Sequence, residues 1–462
     1  MRRPLIHALL LLLGVVVPAD AQNSIAFAGA TLIDGTGEAP VADAVVVVRD
    51  GRIACAGTRA SCPVPAAAQT HDLTGHWLTP GLVDAHVHYS QTGWVDGRPD
   101  SYDARERFPY DRTIAWLRDP AHFYRSWLCS GVTATFDVGG YPWTWGLREA
   151  AENSSDAPHV AAAGPLLSTR DHWLNVPAER QFIHIPTDSA VEAGAHYLIA
   201  NGTSAIKIWF LIGASAQDTA AWAHRIRLAG ERANHAGVPL IVHATNLWGA
   251  TRALEAGAKL LVHGVADQPV DQTFIDLARK NRTVYTPTLV VNDGYRQLRA
   301  RDFNDDNYEM ACVDPETRAK AFLTDSLPGR PSTEAIERAR RNAERQFAMD
   351  AENVRRAHEA GIPIAVGTDA GNPLTLHGPS IYLEMEALQR AGLSPMDVIV
   401  AATRNGALAM NRLAEFGTIA PGMIADMLVV DADPTADIRN MRRVSLIVRR
   451  GTIHKRADLE YR

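Results

Sequence analysis

Two histidines separated by one residue, His86 and His88, end an apolar stretch that begins at Leu78. The stretch is typical of a buried β-strand, and side chains at positions i and i+2 of a strand point to the same side. The two imidazoles can therefore face one metal ion, for which histidine is the commonest protein ligand. Because such pairs also occur in ordinary protein cores, a metal site requires further ligands from elsewhere in the chain.

Four more side chains that can bind a metal ion follow or occupy other apolar segments. They are Lys207, His243, His263 and Asp369. The lysine is the least ordinary, because a charged amine inside an apolar strand costs several kcal/mol unless it is paired or chemically modified. Reaction of the Lys207 amine with carbon dioxide would give a carbamate, an anion whose two oxygens can bridge two metal ions.

Residues 80–412 alternate short apolar strands with helices, a pattern that predicts an α/β fold with a parallel sheet. Strands are predicted near residues 82–88, 132–138, 159–167, 205–210, 239–245, 260–264, 284–291 and 363–369. Eight is the number that closes a (β/α)8 barrel, a TIM-like barrel, in which catalytic residues lie at the carboxyl ends of the strands. All six candidate ligands fall near such ends.

Both ends of the chain have the signals of β-structure. Residues 44–53 read as a strand, an Asp-Gly turn and a second strand, which is a hairpin pattern. Further strands are predicted within residues 417–453, and neither end has enough strands for a stable sheet of its own. We therefore expect one small β-sandwich formed by residues 22–79 and 413–462 together.

The start of the chain, residues 1–21, is predicted to be a secretory signal peptide. Two arginines precede a short apolar run over residues 8–17, and an Ala-Asp-Ala sequence provides a cleavage site. The apolar run is too short to span a bilayer, and no later stretch is long and apolar enough to do so. We expect a periplasmic or secreted protein with no membrane partner.

Export would bring the four cysteines into an oxidising compartment. Cys55 and Cys62 flank a turn-like segment, and the sequence is compatible both with a disulfide between them and with two free thiols. Cys129 and Cys312 have no evident partner and are expected to be buried thiols. The chain contains no Cys-x-x-Cys pair, which argues against a cysteine zinc site.

The formal net charge of −6 is small for a chain of 462 residues and provides no basic region for nucleic acid. The expected partner is a small-molecule or short-peptide substrate. The composition leaves the oligomeric state open, a homo-oligomer included.

The candidate ligands are numerous enough for two divalent metal ions. Two histidines and a carboxylate suit one ion, and two more histidines suit a second. Two neighbouring ions can activate a shared hydroxide, and Asp369 would take the proton of the attacking water and pass it to the leaving group. Imidazole and carboxylate ligands favour zinc, although manganese, cobalt and iron accept the same groups.

The sequence resembles the amidohydrolase superfamily, in particular the imidazolonepropionase-like group that includes Xaa-Pro dipeptidases and N-acyl amino acid hydrolases. The resemblance is carried by residues 79–88, 206–208, 242–244, 262–264, 367–369 and 417–426. It covers nearly the whole mature chain. It implies that His86, His88 and Asp369 hold the first metal ion. It also implies that His243 and His263 hold the second and that a carboxylated Lys207 bridges the two.

Three residues are candidates for binding the substrate. The resemblance suggests His172, although its Arg-Asp-His context differs from the Gly-Gly-His commoner in relatives. Arg170 could meet a substrate carboxylate, and Tyr285 could donate to a developing oxyanion. A purely structural role is open for each of them.

The expected reaction is hydrolysis of an amide C–N bond, with dipeptides or N-acyl amino acids as the favoured substrates. The same site could instead hydrolyse a cyclic amide, a lactone or a phosphoester. A non-enzymatic alternative is a periplasmic metal-binding or scaffold protein. Proteins of that kind have usually lost metal ligands, and none of the six candidate ligands is missing here.

Residues 292–350 are polar and highly charged and lie between the seventh and eighth predicted strands. Their later part, from residue 333 to residue 360, predicts a long helix. This insertion could cap the mouth of the barrel, or it could be a solvated excursion from the surface.

Overall fold

The computed structural model describes residues 24–97, 102–171 and 180–462. The predicted signal peptide, residues 1–21, lies outside the described residues. The strands, in chain order, are β1 (Ser24–Leu32), β2 (Val41–Arg49), β3 (Arg52–Thr58), β4 (Gln69–Asp72), β5 (Trp77–Pro80), β6 (Leu82–Val87), β7 (Val132–Asp137), β8 (His159–Ala162), β9 (Leu166–Ser168), β10 (Phe182–His184), β11 (Ile206–Trp209), β12 (Leu240–His243), β13 (Leu260–Val262), β14 (Val284–Thr286), β15 (Met427–Val430), β16 (Val444–Arg449) and β17 (Thr452–Lys455).

The helices alternate with the central strands and also fill the insertion. The α-helices are α1 (Tyr110–Leu117), α2 (Ala121–Cys129), α3 (Gly146–Glu152), α4 (Asp188–Ala200), α5 (Thr219–His235), α6 (Leu247–Glu255), α7 (Gln272–Asn281), α8 (Val291–Ala300), α9 (Pro315–Phe322), α10 (Thr333–Glu359), α11 (Ser380–Arg390), α12 (Pro395–Ala401), α13 (Arg404–Ala409) and α14 (Arg456–Leu459). Short 3₁₀ helices cover Pro142–Trp145, Asp305–Asn307, Met310–Cys312, Thr324–Ser326 and Ile438–Arg443. None of these described helices combines the length and the apolar character needed to cross a membrane.

Strands from both ends of the chain form one eight-stranded sheet. Its order is β17-β16-β15-β5-β1-β2-β3, with β4 paired to β1. Asp50 and Gly51 connect β2 to β3, and both have the positive φ that a tight hairpin turn requires, 50° and 73°. The C-terminal strands join through β15, which pairs antiparallel with β5. The joint sheet has its own apolar core, which includes Phe27, Leu78 and Met427.

The central strands run parallel to their neighbours, which confirms the predicted α/β class. They form a three-stranded sheet, β6-β7-β8, and a six-stranded sheet, β10-β9-β11-β12-β13-β14. The N–H of Ser204 donates to the carbonyl of Ala162 at 3.0 Å, which brings the start of β11 beside β8. On the other side, residues 364–370 make parallel bridges to Tyr285 of β14 and to Val87 of β6. The two parallel sheets are thus linked on both sides by hydrogen bonds.

Three predicted strands differ from those observed. The strand predicted over residues 284–291 ends at Thr286 as β14, and Val291 already begins α8. The strand predicted over residues 159–167 is divided into β8 and β9, because Gly164 has a positive φ of 70° and Pro165 has no N–H to donate. Residues 363–369 make only isolated bridges instead of a continuous strand. Their backbone turns at Asp369, where φ is +62°.

The insertion, residues 292–350, is helical and packed against the rest of the protein. It contains most of α8, all of α9 and the first two-thirds of α10, which is the predicted long helix. The hydroxyl of Ser332 caps α10 by accepting the N–H of Ala335 at 3.3 Å. The indole N–H of Trp94, in the loop after β6, donates to the hydroxyl of Thr324 at 3.1 Å. These contacts argue against a merely solvated excursion.

All four cysteines are paired. The Cys55–Cys62 disulfide, which the sequence left open, is present at the end of the β2–β3 hairpin. The expectation of two buried thiols at Cys129 and Cys312 is wrong, because these residues form a second disulfide with their Cα atoms 5.4 Å apart. Their sequence separation is 183, and they meet only because the insertion packs against the end of α2.

Loss of the Cys129–Cys312 disulfide should destabilise the protein more than loss of the Cys55–Cys62 disulfide. In the loop-entropy account, closing a loop of separation 183 contributes about 5 kcal/mol, and closing one of separation 7 about 2.5 kcal/mol. The double variant Cys129→Ser/Cys312→Ser should therefore unfold at a lower urea concentration than Cys55→Ser/Cys62→Ser, as measured by circular dichroism. Equal midpoints for the two variants would contradict this order.

Candidate metal centre

The six candidate ligands line one cavity of about 220 Å³. They are His86, His88, Lys207, His243, His263 and Asp369. His243 is the last residue of β12, and His88 and His263 directly follow β6 and β13. His86 is the next-to-last residue of β6, whereas Lys207 is the second residue of β11. Because neighbouring parallel strands end on the same side of a sheet, residues far apart in sequence meet here.

His86, His88 and Asp369 form the tightest group of candidate ligands. Nε2 of His86 lies 3.2 Å from Oδ1 of Asp369, and Nε2 of His88 lies 3.0 Å from the same oxygen. One possible ligand atom from each residue lies within 4.8 Å of the other two. Two imidazole nitrogens and a carboxylate oxygen at this spacing are a set that a divalent transition-metal ion binds.

The hydrogen bonding of this group fits a metal ion. The side chain of His86 is completely buried. Its Nδ1 has no hydrogen-bond partner within the described part of the chain, and its Nε2 lies 3.2 Å from the Asp369 carboxylate without a well-directed hydrogen bond. Nδ1 of His88 donates to the carbonyl of Gly139 at 2.6 Å, so its Nε2 presents a lone pair. A buried imidazole without a partner is costly, and a bound cation would satisfy it.

His243 and His263 form a second pair beside the first group. Their ring centroids are 4.1 Å apart, and the ring of His263 lies 5.0 Å from that of His86. Nδ1 of His263 is 2.8 Å from the hydroxyl of Thr288 and 4.0 Å from Oδ2 of Asp369. The five histidine and aspartate side chains therefore form one cluster, in which Asp369 lies close to members of both groups.

The backbone of two candidate ligands is turned into the left-handed region. The φ angles of His263 and Asp369 are 76° and 62°, values that are uncommon for residues other than glycine. The turn at Asp369 is held by β6: its N–H donates to the carbonyl of His86 at 2.8 Å. The carboxylate of Asp84 accepts the N–H of Thr368 at 3.0 Å and its hydroxyl at 2.7 Å. Strain supported in this way is typical of functional sites.

Lys207 is almost completely buried, with 1 % of its surface exposed. Burial lowers the pKa of its amine to about 7, although the nearby charges of Asp369 and Asp137 act in the opposite direction. A substantial fraction of the amine is therefore neutral near pH 7. The neutral amine is the form that reacts with carbon dioxide.

The protonation states of His86 and Asp369 also suit metal binding. Burial lowers the pKa of His86 to about 4, so the imidazole is neutral at neutral pH, as metal binding requires. Burial acts to raise the pKa of Asp369, but the facing imidazoles of His86 and His88 hold that pKa well below its usual range. Asp369 is therefore ionised at neutral pH, as a metal-binding carboxylate must be.

The structure does not bring Tyr285 or Arg170, two of the three candidate substrate-binding residues, together with the ligands. Tyr285 does not line the cavity, and its buried hydroxyl accepts the N–H of Val265 at 3.0 Å, so its placement does not fit a donor to an oxyanion. The side chain of Arg170 is exposed and does not line the cavity either. His172 lies outside the described residues.

Two supporting carboxylates were missed by the sequence reasoning. Asp84 anchors Thr368, as described above, and it lies two residues before His86 in an otherwise apolar strand. That spacing was the signal that could have revealed it. Asp137, at the end of β7, accepts the N–H of Gly139 at 3.1 Å and so holds the carbonyl that orients His88.

Removing the hydroxyl of Thr368 should weaken metal binding. Thr368→Val keeps the side-chain volume but loses the hydrogen bond to Asp84, so we expect the affinity for Zn²⁺ to fall about 10- to 100-fold, as is usual when such supporting contacts are lost. Thr368→Ser retains the hydroxyl and is the matched control, which should bind nearly as tightly as the wild type. Competition with a chromophoric chelator measures both affinities, and an unchanged affinity in Thr368→Val would contradict the role assigned to this contact.

Comparison with known proteins gives the family of the chain. The sequence pattern of the Amidohydrolase family matches residues 77–453. The chain is 26% identical over 412 residues to imidazolonepropionase from Ralstonia nicotianae, covering 88% of this chain and 90% of that protein. It is 25% identical over 481 residues to ochratoxinase from Aspergillus niger, covering 95% and 85%.

The fold is similar to that of a solved Xaa-Pro dipeptidase with bound methionine in its active site. The TM-score is 0.69 at 22% identity, over 94% of this chain and all of the other. This likeness indicates a TIM-barrel-type α/β fold. The family and the named relatives make this protein a hydrolase that acts on carbon–nitrogen bonds. The chain belongs to the amidohydrolase family.

Proposed function

We propose that this protein is a binuclear metal-dependent amidohydrolase that cleaves an amide bond in a small molecule or short peptide. One observation carries the proposal: six side chains with the chemistry of metal ligands, four of them buried and two (His243 and His263) half-buried, line a single cavity. His88 is held by a hydrogen bond that it donates to the carbonyl of Gly139, and the residue before Asp369 is held by a hydrogen bond that Thr368 donates to Asp84.

His86, His88 and Asp369 would hold one divalent ion, and His243 and His263 would hold the other. Lys207, converted to a carbamate, would lie between them. When bound, such ions lower the pKa of water and polarise a carbonyl group. Zinc matches the imidazole and carboxylate donors best.

Asp369 would be the proton shuttle. Its carboxylate is ionised at neutral pH, and both of its oxygens face the imidazole groups of the cavity. It would take a proton from the attacking water and deliver it to the nitrogen of the leaving amine. Its backbone N–H is fixed by the carbonyl of His86, which keeps the carboxylate in place.

We propose that the parallel strands close into a (β/α)8 barrel and that the terminal strands form a small β-sandwich beside it. The bridges that residues 364–370 make to β14 and β6 support closure on one side. The Ser204–Ala162 hydrogen bond supports it on the other. The separate apolar core of the terminal sheet supports a distinct unit there.

Dipeptides and N-acyl amino acids are the first substrates to assay, as the family resemblance suggests. Cyclic amides, lactones and phosphoesters belong in the same panel, because the same ligand set can activate water against them. If only the esters turned over, the proposed amide hydrolysis would be wrong.

We propose a periplasmic or secreted location. The signal-like residues 1–21 and the two disulfides both support it, since disulfides persist in oxidising compartments. The partners would be limited to the substrate and, if present, further copies of the chain, with no nucleic acid and no membrane.

Replacing the proton shuttle should abolish turnover. Asp369→Asn cannot accept the proton, and we expect kcat to fall by about 10²- to 10⁴-fold, the usual contribution of a general base. Steady-state kinetics on the best substrate of the panel measures the loss, with metal content determined on the same sample. Asp305→Asn, at an exposed carboxylate of the insertion, is the control and should retain full activity. Turnover that survives in Asp369→Asn would contradict the shuttle.

Lys207 should be needed for the second ion. Lys207→Met fills the same buried space without an amine, and we expect elemental analysis to find two ions per chain in the wild type and at most one in the variant. After incubation with ¹³C-labelled bicarbonate, the wild type should show a carbamate carbon resonance that the variant lacks. Full activity with one ion per chain, or no carbamate signal in the wild type, would contradict the bridging role.

A further inference from the structure

The cavity wall has an apolar part formed by β9, β10 and β11. Leu166 of β9, Phe182 of β10 and Trp209 of β11 line the cavity and pack against each other. The rings of Phe182 and Trp209 have centroids 5.0 Å apart. Leu211 extends this surface after the end of β11. An aromatic or branched aliphatic group of a ligand would be buried favourably here.

A second part of the wall comes from the insertion and is polar but uncharged. Asn292 and Tyr295 of α8 and Gln346 of α10 line the cavity. The Tyr295 hydroxyl donates to the side chain of Asn372 at 2.8 Å. Amide and phenol groups exchange hydrogen bonds with a neutral ligand, but they supply no full charge.

Among the described residues that line the cavity, Lys207 is the only lysine or arginine, and it belongs to the metal centre. Three arginines directly adjoin cavity-lining residues in sequence. Arg180 and Arg345 have exposed side chains, as does Arg170. The half-buried Arg296 is paired with Asp293 at 2.6 Å. Residues 172–179 are outside the described part, and their sequence contains neither lysine nor arginine. A carboxylate on the non-reacting part of a substrate would therefore lack a cationic partner, and burying it unpaired is unfavourable.

We propose that the substrates are small, uncharged amides that carry an aromatic or bulky apolar group, and that a free carboxylate next to the scissile bond is selected against. This inference rests on the proposed amide hydrolysis and narrows it. The cavity of about 220 Å³ lies below the range of about 300–1,000 Å³ usual for drug-sized ligands, which agrees with a small substrate.

Matched substrate pairs test the proposal. Each pair consists of an N-acyl-phenylalanine and the N-acyl-2-phenylethylamine with the same acyl group, which differ only in the carboxylate. With zinc-loaded enzyme, kcat/KM should be at least about tenfold higher for the uncharged member across several short acyl groups. Equal values, or a preference for the carboxylate, would overturn the inference and leave amide hydrolysis intact. Hydrolysis of neither member in any pair would overturn both.

A charge placed on the uncharged wall should reverse the preference. Gln346→Arg brings a guanidinium to the cavity and should shift the ratio of kcat/KM values by about tenfold or more toward the carboxylate substrate, mainly through KM. Ala348→Arg adds the same charge to an exposed position on α10 and is the control, which should leave the ratio unchanged. If Gln346→Arg and Ala348→Arg have the same ratio, the assignment of this wall to substrate selection is wrong.

Discussion

The cost of burying polar groups without partners is the constraint on which the rest of this structure depends. His86 is fully enclosed and neither of its ring nitrogens makes a well-directed hydrogen bond, and Lys207 is enclosed with an amine whose ordinary state is charged. A fold that keeps such groups inside must satisfy them by another route. Divalent ions and a carbamate would satisfy both at once, which is why one cavity collects all the candidate ligands.

The surrounding structure is organised to hold these groups in place. Asp84 on β6 accepts a hydrogen bond from Thr368, and the carbonyl of His86 accepts one from the N–H of Asp369. These bonds hold β6 and residues 364–370 together. The insertion then completes the wall of the cavity through Tyr295 and Gln346. The Cys129–Cys312 disulfide ties that insertion to α2. A polar segment that looks peripheral in the sequence thus contributes to the cavity.

Short-range sequence patterns correctly predicted most of the secondary structure. Apolar runs located the parallel strands, the Asp-Gly turn located the β2–β3 hairpin, and helical periodicity located α10. The histidine pair and the ends of the other strands pointed to one site because parallel strands share an orientation.

What escaped prediction depends on three-dimensional packing. The partner of Cys129 is 183 residues away, and no sequence signal encodes that distance. Tyr285 was expected to face the substrate, but its hydroxyl turns to the backbone of Val265. The direction of a strand side chain follows from register, and a one-residue error reverses it.

Different parts of the cavity would serve catalysis and substrate selection. The ligands beside Asp369 can activate water against many carbonyl groups, whereas Phe182, Trp209 and Gln346 would decide which molecules reach them.

The central claim is nevertheless the metal centre itself. A crystal structure of the zinc-loaded protein, with data collected at the zinc absorption edge, tests it most directly. The account predicts two anomalous peaks, one beside His86, His88 and Asp369 and one beside His243 and His263. A map with no peak, or with one peak only, would contradict a binuclear centre.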